Sequence, residues 1–109
     1  MSKRLQDIAY HGNILLFYTR GEIDKLGHLA DDEQKAAFSA ICEKINSFIQ
    51  HANSAADEAA FKPVANQLNA IYADMIAEAD KLDMRGGAVR FLANEFKALG
   101  DALMQRAIG

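Results

Sequence analysis

The sequence predicts an all-α protein, an antiparallel up-down-up-down four-helix bundle built from a single domain over residues 1–109. Three observations predict it. Twenty alanines stand against twelve β-branched residues (nine Ile, two Val, one Thr), a balance that favours helix over strand. Apolar residues recur at steps of three and four through four successive segments. The breaks between them, Ala30-Asp31-Asp32, Asn53-Ser54 and Met84-Arg85-Gly86-Gly87, are short enough to imply antiparallel neighbours.

The first segment runs from about Lys3 to Leu29. Leu5, Ile8, Gly12, Leu15, Leu16, Thr19, Ile23 and Leu26 share one broad helical face. Gly12-Asn13 and Gly21 bracket the run Ile14-Leu15-Leu16-Phe17-Tyr18 and would suit a strand, but the chain offers no second strand to pair with it. Gly21 and Gly27 each weaken a helix by about 1 kcal/mol relative to Ala, which predicts a bend or break near Gly21.

Asp31 opens the second segment as an N-cap, with Gln34 three residues on in the capping-box position. Phe38, Ile41, Ile45 and Phe48 form its stripe, widened by Cys42 and Ile49, and it ends near Ala52-Asn53. The third carries Phe61, Val64, Leu68, Ile71, Met75, Ala79 and Leu82. Pro63 is costly in a helix interior and cheap in a first turn. It therefore predicts either a separate short turn from Ser54 to Phe61 with the main helix starting at Lys62-Pro63, or a kink; the first reading is preferred. The fourth follows Gly86-Gly87 and carries Val89, Leu92, Phe96, Leu99 and Leu103 at heptad-like 3-4-3-4 steps. Gly12, Ala65, Ala79 and Ala93 on these stripes would let helix axes approach closely.

Half of the 109 residues are apolar, a quarter are charged, and the formal net charge is −3. These values exclude wholesale disorder and a multidomain cofactor enzyme. Basic and acidic residues are spread over both halves, so no electrostatic footprint for nucleic acid is predicted. The longest apolar run is far too short for a membrane span. A single cysteine, Cys42, forbids an intramolecular disulfide. With no signal-like opening, the expected location is the cytoplasm.

No catalytic constellation emerges, and the chain is expected not to be an enzyme. His28 with Asp31 and Asp32, and Asp7 with His11, have helical ligand spacing, but the Glu-x-x-His and His-x-x-x-His patterns of bundle metal sites are missing. No metal or cofactor is expected. Cys42 lies beside an apolar stripe with nothing nearby to activate it, so packing outweighs nucleophilic chemistry. The serines stand in no nucleophile-elbow context.

Two features are carried forward. Arg85, Gly86, Gly87 and Arg90 at a helix start are a weak anion-binding candidate; the simpler reading is that glycine ends the third helix in a left-handed cap. Ile14, Phe17 and Tyr18 make the first helix apolar on more than one side. Such a helix needs cover, either from the Ser54–Phe61 stretch or from another copy of the chain. The expected function is therefore protein–protein interaction by a homodimeric regulator, chaperone or inhibitor, with small-molecule or anion binding near Arg85–Arg90 as the alternative.

Overall fold

The computed structural model describes residues 3–27, 31–55 and 58–108. The protein is all-helical. Among the described residues there are four α-helices: α1 (Lys3–Leu26), α2 (Asp32–Ser54), α3 (Phe61–Leu82) and α4 (Gly87–Ile108). Short 3-10 turns at Glu58–Ala60 and Asp83–Gly86 precede α3 and α4. Helix α1 packs on α2 and α4, and α3 packs on the same two, with α3 against α4 the most extensive pair.

Each helix buries the stripe its periodicity marks. Leu5, Ile8, Leu15, Leu16 and Leu26 of α1 meet Phe38, Ile41, Ile45, Phe48 and Ile49 of α2 in one core. Helix α3 contributes Val64, Leu68, Ile71 and Met75, and α4 contributes Val89, Leu92, Phe96 and Leu103. Phe48 and Phe96 meet edge-to-face, ring centroids 6.4 Å apart, tying α2 to α4 at the centre. Ile23 and Leu99 are only partly buried against this core.

The helix ends have identifiable causes. Asp31 caps α2 by accepting from the Gln34 backbone N–H at 2.7 Å. The second half of the expected capping box does not form, because Gln34 Nε2 donates instead to the Glu78 carbonyl on α3 (3.3 Å). Helix α1 stops at Gly27, whose φ of +48° is left-handed and suits a glycine terminator. The expected extension to Leu29 and the pairing of His28 with Asp31 and Asp32 involve positions outside the described residues. The expected break near Gly21 does not occur. Helix α1 runs through it because Leu16, Thr19 and Leu26 on the opposite face are all held in the core. Pro63 falls in the first turn of α3, after a separate 3-10 turn, where its missing N–H costs little.

The α3–α4 connection corrects the glycine-cap expectation. The left-handed residue is Asp83 (φ 57°), while Gly87 has ordinary helical angles. Gly86 is needed for space rather than for φ: a Cβ there would overlap the Ala79 carbonyl, because the start of α4 lies directly on α3. A similar close approach at Gly12 brings α1 onto α2, where a Cβ would lie 2.5 Å from Phe48 Cε2.

Candidate interaction surface

At about 100° per residue, the buried positions of α1 cover one arc of the helix. Tyr10, Ile14, Phe17, Tyr18 and Gly21 fall in a second arc of roughly 100°, nearly opposite the first. Helix α1 therefore carries two apolar stripes, of which its own chain covers one. Tyr10 is 70% exposed, Ile14 39%, Phe17 74% and Tyr18 56%. Phe17 and Tyr18 support each other edge-to-face with centroids 5.7 Å apart. The described part of the Ser54–Phe61 stretch does not cover them: its 3-10 turn, Glu58–Ala60, packs on α3, and Phe61 is buried.

Helix α4 extends this surface. Phe91 is 64% exposed and, with Ala88 and Leu92, forms one wall of a groove whose other wall is His11, Ile14, Leu15 and Tyr18. The groove holds about 550 Å³ and is overwhelmingly apolar, with Glu22 and Glu95 at its margins. Phe91 escaped the sequence reading because it adjoins Leu92 outside the heptad stripe. Its apolar character one residue off the seam is the signal that marks it. No large hydrophobic residue of α2 or α3 is comparably exposed among the described residues.

The other candidate is arranged differently. Arg90 is turned back onto α3, donating to the carbonyls of Ala79 (3.4 Å) and Asp83 (3.3 Å) and to the Asp80 carboxylate (3.1 Å). It satisfies carbonyls at the end of a helix, where a cation is also favoured by the helix dipole. Arg85 and Gly87 are exposed, whereas Gly86 is buried against α3. Arg85 lines a separate shallow depression with Asp31, Glu33 and Lys81, so the two arginines do not converge on one point.

Cys42 is half-buried. Burial raises its thiol pKa, and nearby Arg20 offsets this only in part. No group of three or more His, Cys, Asp and Glu side chains that could hold a metal exists among the described residues. His51 Nδ1 donates to Gln67 Oε1 (2.8 Å), bridging α2 and α3. No described helix is long and apolar enough to cross a membrane. Two buried oxygens, Thr19 Oγ1 and Glu78 Oε1, have no hydrogen-bond partner. The chain matches no known family model, no curated protein and no solved structure.

Proposed function

We propose that this chain is a cytoplasmic interaction protein, an antiparallel up-down-up-down four-helix bundle that works by docking its α1–α4 face onto protein, first of all onto a second copy of itself. The observation that carries this reading is the exposure of Ile14, Tyr18 and Phe91 around one apolar groove, with exposed Phe17 set edge-to-face against Tyr18 beside it. Side chains of this size left in water on one face mark an association surface more often than scattered exposed hydrophobics do. The bundle topology is supported by the ring of helix contacts and by the short connections. A long dimension of 43 Å also suits helices of 22–24 residues lying side by side. A role as regulator, chaperone or inhibitor needs only such a surface, and no catalytic role is proposed.

The anion-binding alternative near Arg85, Gly86, Gly87 and Arg90 has less support, since Arg90 is already engaged with the end of α3.

The test is light scattering at micromolar concentration on wild type and on Phe17→Asp, with circular dichroism to verify the fold. The reading expects a wild-type mass above that of one chain and a folded, monomeric variant. A wild type as monomeric as the variant overturns self-association.

A further inference from the structure

We propose that the groove between α1 and α4 binds a small organic cation, an aromatic or long-chain amine whose apolar body lies between Tyr18 and Phe91 and whose charge meets Glu95. The groove is built by one chain, so this inference does not rest on self-association.

Size and lining set the class of ligand. About 550 Å³ lies within the range of small-molecule sites, and a cleft between the helices of a bundle is a common place for one. Leu15 and Leu92, both buried, form the floor. Tyr18 and Phe91 stand on opposite walls, each with more than half of its surface exposed. Aromatic walls suit a flat or extended apolar body and attract a cation through the ring quadrupole.

Charge sets the sign. The lining holds two carboxylates, Glu22 and Glu95, and no lysine or arginine. Glu22 is paired with Lys25 in its own helix. Glu95 is partly buried and has no ion pair among the described residues. The cations of α4 that flank it in sequence are engaged elsewhere. Arg90 bonds to Asp80 and to carbonyls at the end of α3, and Lys97 pairs with Asp101 and lies over the Tyr72 ring of α3. A neutral body filling the groove would take water from the Glu95 carboxylate and return nothing, and an anion would meet two like charges. A cation replaces the lost water with a counter-charge.

Three probes that share one fluorophore test this by fluorescence titration at low ionic strength. Dansylcadaverine carries an ammonium group, its N-acetyl derivative is neutral, and dansyl-aminohexanoate is an anion. Dansylcadaverine is expected to bind about tenfold or more tighter than the acetylated probe, with the anion weakest. Glu95→Gln is expected to cut that preference to about twofold or less. The same variant should keep its affinity for the neutral probe, which shows that the groove is intact. Glu43→Gln removes an exposed carboxylate of α2 and is expected to keep the full preference. Phe91→Ala is expected to weaken all three probes. Equal affinity for the three probes, or no binding of dansylcadaverine at millimolar concentration, would overturn the proposal. So would a cation preference that survives Glu95→Gln, or one that Glu43→Gln removes equally.

Discussion

The α2–α3 side and the α1–α4 side of this molecule solve the same problem in opposite ways. Both helix pairs bury their inner stripes in one core. Between α2 and α3 the rim is polar: Lys44 pairs with Asp74, His51 with Gln67, and Gln34 with the Glu78 carbonyl. Such contacts fix the relative position of two helices while leaving a wet exterior. Around α1 and α4 the rim is Tyr10, Ile14, Phe17, Tyr18 and Phe91. An intrachain core does not need these residues, and water does not favour them. The difference teaches that the excess apolar surface is local: among the described residues, every large exposed hydrophobic side chain but Met84, in the α3–α4 connection, lies on α1 or α4.

The largest expected effect tests whether the two stripes of α1 really differ in kind. Phe48→Ala, in the core, is expected to lower unfolding stability by about 3–5 kcal/mol. Phe17→Ala, at concentrations where the chain is monomeric, is expected to change it by less than about 0.5 kcal/mol. Urea denaturation measures both, and a comparable loss at Phe17 would mean that the outer stripe belongs to the fold.

The two mid-helix glycines sharpen the contrast further. Gly12→Ala drives a methyl into Phe48 and Ile49, and is expected to destabilise by about 1–3 kcal/mol despite alanine's better helix propensity. Gly21→Ala meets open space and is expected to stabilise the monomer by about 1 kcal/mol. Thermal unfolding of the two variants should therefore move in opposite directions; a shared direction would mean that α1 is not seated as described.

The smallest effect concerns the inner stripe alone. Thr19 is buried with an unpartnered hydroxyl, and Thr19→Val replaces it with a methyl of similar shape. A gain of about 1 kcal/mol is expected from removing the unsatisfied oxygen, read by chemical denaturation. A loss would mean that the hydroxyl has a partner.

Much of this was legible in the sequence because burial on a helix is written as a 3.6-residue period. The large apolar residues of the α2 and α3 stripes were readable, from Phe38 to Ile49 and from Phe61 to Leu82, whereas buried Glu78 was not, and Cys42, read into the α2 stripe, is only half-buried. Asp31 was readable as a cap because that bond is local. The Ile14–Tyr18 surplus was readable because a stripe can hold only so many large side chains. Contacts that join distant positions were not. Arg90 reaches Ala79 across a turn, eleven residues back, and no helical spacing encodes that. Gly86 looked like a left-handed cap because glycine has two uses, φ freedom and close approach, and composition does not distinguish them. Asp83 takes the positive φ instead, and aspartate is one of the few non-glycine residue types found there with any frequency. Phe91 was hidden because a linear stripe assigns one face to a helix, whereas the groove needs α1 and α4 together.

The central claim is that the outer stripe of α1 is completed by another chain, and sedimentation equilibrium of the wild-type protein over a wide concentration range tests it most directly. The account predicts a mass that rises from the 12.0 kDa of one chain toward twice that value with concentration, and a rise that Phe17→Asp abolishes. A mass fixed at one chain up to the limit of solubility would contradict it.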